Sequence, residues 1–157
     1  MPGTPVAIAL GSNLGDRAAH LAFAIEQLSR ILQQVRISSV IDTAAAGVPD
    51  DQPRFLNAAA TGTTTLEPRA LLTELLAIER LRGRDRPYRF APRTLDLDLI
   101  LYGDLLVRED GLEVPHPRFR ERPFVLEPLA EIAGDWRDPV TGSTISALLD
   151  SLRRRPS

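Results

Sequence analysis

The sequence is most informative at Thr94–Leu101, which reads TLDLDLIL and alternates polar with apolar side chains. Alternation with a period of two predicts a β-strand whose successive side chains point to opposite faces. Thr94, Asp96, Asp98 and Ile100 would share one face, and the leucines between and after them would share the other face and pack on the core. The stretch therefore predicts a strand that presents two carboxylates side by side.

The Asp96 and Asp98 pair is a candidate metal site. Two residues on one strand face are separated by about 7 Å at the backbone, so their oxygens can converge on one or two cations. Mg²⁺ commonly takes one or two carboxylates and completes its octahedron with water and substrate phosphates. A solvated acidic face is the alternative, although aspartate is a poor strand former. The pair by itself leaves both interpretations open.

Arginine clusters next to this strand. All 19 basic residues are arginine, and six of them fall between residues 80 and 93: Arg80, Arg82, Arg84, Arg86, Arg89 and Arg93. Guanidinium groups match phosphate oxygens bidentately, so loop arginines beside a carboxylate-bound metal would form a polyphosphate clamp. A solvated charged surface is again the alternative. The chain has neither a P-loop sequence nor any lysine, which excludes nucleotide binding of the P-loop kind.

Four further residues are candidates for ligand contacts. His116 follows Pro115 at a predicted strand end and could donate to a phosphate, or it could be an ordinary loop histidine. Phe55 and Phe124 lie near turns, where core packing is the usual role, but two such rings could also sandwich a planar heterocycle. Asn57 would share a strand face with Phe55, and its amide could pair with a heterocycle through both donor and acceptor.

Apolar periodicity predicts the order β-α-β-β-α-β-β followed by helices. Strands are expected at Val6–Leu10, Arg36–Ile41, Phe55–Thr65, Thr94–Tyr102, Leu105–Arg108 and Leu112–His116. Helices are expected from an N-cap at Asp16 to about Gln34, from Pro68 to Gly83, over Pro123–Ile132 and over Ser143–Leu152. Gly11-Ser12-Asn13 reads as a tight turn, and 44–53 and 84–93 read as loops. This order fits an α+β fold, a ferredoxin-like α/β sandwich with a mostly antiparallel sheet and helices on its faces.

Size and composition favour one domain over residues 1–157. The chain is 43% hydrophobic and has no cysteine, so disulfides and thiolate metal sites are excluded. No apolar run approaches the roughly 18 residues of a membrane span, and the N-terminus lacks the features of a signal peptide. We expect a cytoplasmic monomer with no membrane association and a disordered tail at about 153–157.

Read together, these blocks resemble the 6-hydroxymethyl-7,8-dihydropterin pyrophosphokinase family. The resemblance runs from about Val6 to Ile132, and its most specific block is PRTLDLD at Pro92–Asp98. The other blocks, in chain order, are Gly11-Ser12-Asn13-Leu14, Asp51-Gln52-Pro53, Phe55-Leu56-Asn57-Ala58, Ile78-Glu79, Gly83-Arg84, Val114-Pro115-His116, and Arg122 with Phe124.

The resemblance implies transfer of the β,γ-diphosphate of ATP to the hydroxymethyl group of the pterin, with two Mg²⁺ ions and with AMP as the second product. Asp96 and Asp98 would hold both metals. The remaining roles implied are phosphate contacts for Arg84 and Arg93, ATP binding for Glu79, Arg89, His116 and Arg122, stacking on the pterin for Phe55 and Phe124, and hydrogen bonds to the pterin edge for Thr43 and Asn57.

Two other readings stay open at this point. Ferredoxin-like sheets with arginine clusters can bind RNA, but here the net charge is −2 and no strand carries the interleaved aromatic residues of an RNA-recognition sheet. A catalytically inactive relative acting as a regulator is the second. The intact acid pair and arginines argue against it. Because of the net charge and the missing aromatic residues, nucleic acid is not an expected partner.

Overall fold

The computed structural model describes residues 3–13, 16–43, 54–83 and 95–154. Their elements are β1 (Thr4–Ser12), α1 (Arg17–Ile31), β2 (Gln33–Ile37), β3 (Ile41–Thr43), β4 (Phe55–Thr64), α2 (Pro68–Gly83), β5 (Asp96–Tyr102), β6 (Val107–Glu109), β7 (Leu112–Val114), a 3-10 turn (Phe119–Glu121), α3 (Pro123–Ala133) and α4 (Ile145–Arg153).

One five-stranded sheet organises the fold. Its strands lie in the order β2-β4-β1-β5, with β3 also on β4, and every paired strand is antiparallel to its neighbour. Strands β6 and β7 form a separate hairpin. The predicted α+β sandwich with an antiparallel sheet is confirmed. Within the described ranges, no helix is long and apolar enough to cross a membrane.

The sheet separates two hydrophobic clusters, each covered by a pair of helices. On one face, Leu21 and Leu28 of α1 and Leu71 and Leu75 of α2 pack against residues such as Ile8. On the other face, α3 and α4 pack against the small residues Ala7, Ala9 and Ala59 together with Ile100 and Leu101. Because the second face of β1 carries alanines, α3 and α4 can approach the sheet closely.

Helix boundaries follow local chemistry where the sequence predicted them. The carboxylate of Asp16 accepts the Ala19 amide at 3.1 Å and caps α1, and Pro68 begins α2. Some predictions were wrong. Gly11 and Ser12 continue β1 instead of turning, and α1 ends at Ile31. The side chain of Leu81, which continues the three- and four-residue spacing of Leu71, Leu75 and Ile78 along α2, is nevertheless 62% exposed. α4 ends at Arg153, one residue later than predicted.

A β-bulge interrupts β5. Ala7 faces Leu101 and the next residue of β1, Ile8, faces Leu99, so Ile100 has no partner on β1. The bulge places both Ile100 and Leu101 in the α3–α4 cluster. The prediction that Leu101 shares a face with the other leucines was therefore wrong, because an extra residue inverts the alternation beyond it.

Candidate active site

The acid pair lies on the sheet face that α3 and α4 cover further along. Asp96 is opposite Gly11, and Asp98 is opposite Ala9, in the antiparallel register of β1 and β5. Directly opposed residues project to the same face, so both carboxylates stand on one side of β5 beside two very small residues. Both are half-buried, unlike the buried Leu97 between them. The predicted shared face of Asp96 and Asp98 is confirmed.

The outer edge of β5 is lined by two of the predicted ATP-binding residues. A carboxylate oxygen of Glu79, on α2, accepts a hydrogen bond from the Leu97 amide at 2.7 Å. The His116 amide donates to the carbonyl of the bulged residue Ile100 at 3.0 Å. The bulge thus supplies the acceptor that fixes His116 alongside the strand bearing the aspartates.

His116 is held as a neutral hydrogen-bond donor. Its Nδ1 accepts the Arg118 amide at 3.1 Å, so the proton of the neutral ring lies on Nε2. Burial lowers the pKa of His116, the nearby Asp98 carboxylate opposes part of that shift, and the Arg122 guanidinium adds to it. The balance leaves the pKa below its ordinary value, and it shows that His116, Asp98 and Arg122 share one electrostatic environment.

A cavity of about 370 Å³ opens along this edge. It lies between α2, β5 and the β6–β7 hairpin, and its lining includes Leu72, Leu76, Glu79, Asp98, Gly111 and His116. The lining combines leucine side chains with the imidazole of His116 and with four carboxylates, those of Glu79, Asp98, Glu109 and Glu113. Such a combination suits a ligand with an apolar body and a polar or charged end.

The predicted pterin contacts lie across β1 from the acid pair. The Asn57 amide nitrogen donates to the Thr43 hydroxyl at 2.6 Å, joining β4 to β3. Asn57 is directly opposite Gly11 on β1, and Gly11 is directly opposite Asp96 on β5. Asn57, Gly11 and Asp96 therefore form one row across three strands, and the side chains of Asn57 and Asp96 share one face.

The start of α3 adds two more candidates. Arg122 is the N-cap residue of α3, and its guanidinium carbon lies 5.7 Å from the centre of the Phe124 ring. Phe124 is partly buried and packs against the α3–α4 cluster. α3 also contacts β3 and β4, the strands that carry Thr43 and Asn57. Arg84, Arg89 and Arg93 lie outside the described residues.

The side chains present fit an Mg²⁺ ion held jointly with a phosphorylated ligand. Among the residues that the structure describes, no group of three or more His, Asp and Glu side chains is arranged to enclose a metal ion. Mg²⁺ does not require such a cage, because it usually binds one or two carboxylates and takes its other ligands from water and phosphate oxygens. Asp96 and Asp98 are the carboxylates that would provide the protein ligands of such an ion.

The sequence did not identify every residue at the site. Gly11 was read as a turn residue, although it occupies the middle of the row between Asn57 and Asp96. The sequence predicts only that Leu72 and Leu76 belong to a helix, yet both line the cavity. The family block Gly11-Ser12-Asn13-Leu14 marks Gly11 without giving it a position in the site, because strand register determines that position, and helix rotation against the sheet determines which α2 leucines line the cavity.

Known proteins resemble this chain in sequence and in fold. Residues 7–134 match the family model of 7,8-dihydro-6-hydroxymethylpterin-pyrophosphokinase (HPPK). The 2-amino-4-hydroxy-6-hydroxymethyldihydropteridine pyrophosphokinase of Synechocystis sp. is 44% identical over 147 residues, which cover 92% of this chain and 74% of the relative. The enzyme of that name from Pseudomonas aeruginosa is 43% identical over 136 residues, covering 85% and 83%.

Solved structures agree on the fold. A crystal structure of Plasmodium falciparum HPPK-DHPS superposes with a TM-score of 0.78, covering 95% of this chain and 45% of that chain at 14% identity. Identity at that level supports the fold alone, whereas the sequence match over residues 7–134 identifies the family. This chain belongs to the 7,8-dihydro-6-hydroxymethylpterin-pyrophosphokinase family.

Proposed function

We propose that the chain transfers the β,γ-diphosphate of ATP to the hydroxymethyl group of 6-hydroxymethyl-7,8-dihydropterin and releases AMP, as a step of folate biosynthesis. The observation that carries the proposal is the row Asn57–Gly11–Asp96, which puts an amide suited to a heterocycle and a carboxylate suited to a metal on one sheet face. The activity named for the Synechocystis and Pseudomonas relatives supports the same reaction.

The nucleotide is assigned to the cavity beside β5. Leu72 and Leu76 would offer aliphatic contacts to the base, and His116, which lines the same cavity, would offer its Nε2 proton to a phosphate oxygen. Arg122 adds positive charge to the same region, because it acts electrostatically on His116. A nucleotide in this position would direct its phosphates toward Asp98.

The pterin is assigned to the face above β4 and β1. Asn57, already oriented by Thr43, would hydrogen-bond the edge of the ring together with the Thr43 hydroxyl. Phe55 and Phe124 would stack on the two sides of the ring. With the ring edge at Asn57, the hydroxymethyl group would extend across β1 toward Asp96.

Asp96 and Asp98 would hold two Mg²⁺ ions, which when bound neutralise the charge on the phosphate oxygens. The hydroxymethyl oxygen forms a bond to the β-phosphorus, and the bond from that phosphorus to the α,β-bridging oxygen breaks. The bridging oxygen leaves with AMP. The hydroxyl proton passes to a carboxylate of the pair, a transfer that contributes little because loose phosphoryl transition states need little base assistance.

Three arginines complete the proposed phosphate contacts. Arg84 and Arg93 would contact the migrating diphosphate, and Arg89 would bind ATP from the same segment. Their guanidinium groups suit the charge that spreads over the phosphate oxygens during transfer. An RNA-binding role and an inactive regulatory role are not favoured, because the family and the named relatives are pyrophosphokinases.

Product analysis tests this proposal. The chain is mixed with ATP, Mg²⁺ and 6-hydroxymethyl-7,8-dihydropterin, and the nucleotides are separated by ion-exchange chromatography. AMP formed in step with consumption of the pterin is the expected result. ADP as the product would indicate an ordinary kinase, and no pterin-dependent product would contradict the proposal.

A further inference from the structure

Strand β3 is the shortest strand of the main sheet, although it carries Thr43, one of the proposed pterin contacts. It pairs with β4 over only three positions, the last of which places Thr43 opposite Phe55. Among the described strands, only β4 is paired with it. Because so short a pairing is a weak restraint, further contacts are needed to fix Thr43 relative to Phe55.

An ion pair supplies such a contact next to Thr43. The Arg54 Nε atom donates to the Asp42 carboxylate at 2.6 Å, and the Arg54 Nη2 atom donates to the Asp42 carbonyl oxygen at 3.2 Å. That carbonyl belongs to the peptide bond between Asp42 and Thr43. One guanidinium therefore holds both the side chain and the backbone of the residue that precedes Thr43.

A second arginine makes the corresponding contact next to Phe55. Arg17, the first residue of α1, donates from Nη1 to the Arg54 carbonyl oxygen at 2.6 Å. That carbonyl belongs to the peptide bond between Arg54 and Phe55. The two arginines thus hold the peptide bonds that precede two proposed pterin contacts, and they join the start of α1 to the paired ends of β3 and β4.

The ion pair does not lie on the face assigned to the pterin. The side chains of Thr43 and Asn57 share that face, since they are hydrogen-bonded at 2.6 Å. Asp42 precedes Thr43 in the strand and projects to the opposite face, as does Leu56 across from it, which packs against the α1–α2 cluster. Arg54 reaches Asp42 on that side, so it would act on the pterin through the backbone and not by contact.

We propose that Arg54 is a positioning residue for the pterin, and that its pairing with Asp42, supported by Arg17, fixes Thr43 and Phe55 in the arrangement that binds the ring. The inference rests on the proposed function and adds to it a residue outside the binding face. The side chains of Arg54 and Asp42 are 57% and 48% exposed. Since exposed ion pairs contribute modestly, the expected effect is a several-fold change in pterin affinity without loss of the fold.

Charge reversal tests the pairing. Fluorescence titration with 6-hydroxymethylpterin, in the presence of Mg²⁺ and a non-hydrolysable ATP analogue, gives the pterin Kd. We expect Arg54→Asp to raise this Kd about fivefold, equivalent to about 1 kcal/mol, because two carboxylates would replace the ion pair. The double variant Arg54→Asp/Asp42→Arg restores opposite charges and should bring the Kd back to within about twofold of the wild-type value.

The affinity for the nucleotide distinguishes positioning of the pterin from general damage. The cavity assigned to ATP lies along β5, and neither Arg54 nor Asp42 nor Arg17 lines it. The Kd of the ATP analogue, measured by calorimetry, should therefore change less than about twofold in Arg54→Asp, as expected for distant sites without shared partners. An equal rise in the Kd of both ligands would overturn the inference.

Arg30→Asp is the matched control. Arg30 forms an ion pair with Glu26 at 3.1 Å, its side chain is similarly exposed, and it lies in the last turn of α1, at the opposite end from Arg17. This variant makes the same change in net charge and should keep the wild-type pterin Kd. A wild-type Kd in Arg54→Asp, equal weakening by Arg30→Asp, or a double variant that binds no more tightly than Arg54→Asp would each overturn the inference.

A further variant keeps the test decisive if Arg54→Asp does not fold. Arg17→Ala removes the donor to the Arg54 carbonyl and leaves the ion pair intact, so it should raise the pterin Kd about twofold or more and leave the Kd of the ATP analogue unchanged. An unchanged pterin Kd in this variant would overturn the inference. Failure of the wild type to bind the pterin or to form AMP would instead count against the proposed function.

Discussion

At the scale of single residues, the side chains of Asp96 and Asp98 lie outside both hydrophobic clusters. Their half-buried side chains lie on the opposite face from Leu95, Leu97 and Leu99, which fill the α1–α2 cluster. The metal site proposed above accounts for two carboxylates side by side on this strand face.

Replacing either aspartate should separate activity from stability. We expect Asp96→Asn and Asp98→Asn each to lower the rate of AMP release at least a hundredfold, roughly the loss on removing one strong charge-stabilising group. The melting temperature should change little, since neither side chain belongs to a hydrophobic cluster. Rates and thermal melts are measured on the same preparations, and near-wild-type turnover in either variant would refute the metal assignment.

The arginines Arg84 and Arg93 should affect the chemical step more than substrate binding. Arg84→Ala and Arg93→Ala should each lower kcat by about ten- to a hundredfold, because the guanidinium groups act on charge that develops during transfer. Arg36→Ala, an exposed position on β2, is the control and should leave kcat unchanged. A higher KM for ATP with an unaltered kcat in both variants would show that the clamp role is wrong.

At the scale of elements, β5 shows which structural features the alternation of polar and apolar residues can predict and which it cannot. The two-residue alternation was sufficient to place Asp96 and Asp98 on one face and Leu97 and Leu99 on the other. It could not reveal the bulge at Ile100, because neither the bulged residue nor its neighbours differ in character from ordinary strand residues. The same bulge provides the carbonyl that holds His116, so a functional contact was hidden with it.

The segment between β7 and α3 is anchored by an ion pair that the sequence did not predict. Asp138 is 0% exposed and accepts two hydrogen bonds from Arg120, one of them at 2.9 Å. It also accepts the Val140 amide at 3.0 Å and the Thr141 hydroxyl at 2.8 Å. Arg120 lies between His116 and Arg122 in the chain, so this carboxylate fixes the segment that carries both.

The free energy of unfolding that this ion pair contributes at neutral pH should be lost in acid. Burial alone would raise the pKa of Asp138, but the hydrogen bonds from Arg120, Val140 and Thr141 outweigh it and lower that pKa. A lowered pKa stabilises the fold above the unfolded value of about 3.9, and the contribution is lost as the pH falls through the folded pKa. Asp138→Asn should therefore lose about 2–4 kcal/mol of unfolding free energy at pH 7 and less below pH 4, because Arg120 loses its buried counter-ion.

Urea denaturation at several pH values measures this difference. Glu127→Gln is the control, since Glu127 pairs with Arg153 at 3.7 Å on an exposed surface and should contribute little at any pH. A constant difference between Asp138→Asn and wild type from pH 7 to the acid range would contradict the assigned role of the carboxylate.

At the scale of the whole molecule, the acid pair and Asn57 lie on the α3–α4 face of the sheet, and the cavity lies at the edge of β5 against α2. The α1–α2 face is filled with leucine and isoleucine, whereas the opposite face carries small residues near Asn57, Asp96 and Asp98. The nucleotide would approach from the edge of β5 and the pterin from above β4. The two substrates would then meet at the acid pair.

Most of the element order and the identity of the family could be predicted because both follow from local pattern and specific sequence blocks. The single strand expected at Arg36–Ile41 was wrong, since β2 (Gln33–Ile37) and β3 (Ile41–Thr43) stand in its place. The row Asn57–Gly11–Asp96 could not be predicted, because it joins residues far apart in the chain through strand register. Gly11 illustrates the limit, since a glycine after an apolar run is typical of a turn. Only its position between two strands shows that it belongs to the site.

The central claim is that the β- and γ-phosphorus atoms move together. Two reactions, one with ATP labelled with ³²P at the β-phosphorus and one with ATP labelled at the γ-phosphorus, are run with Mg²⁺ and 6-hydroxymethyl-7,8-dihydropterin, and the pterin product is isolated by chromatography. The proposed mechanism predicts that both labels appear on the pterin in equal amounts, matched by unlabelled AMP. Label from the γ-position alone, with ADP retaining the β-label, would contradict it.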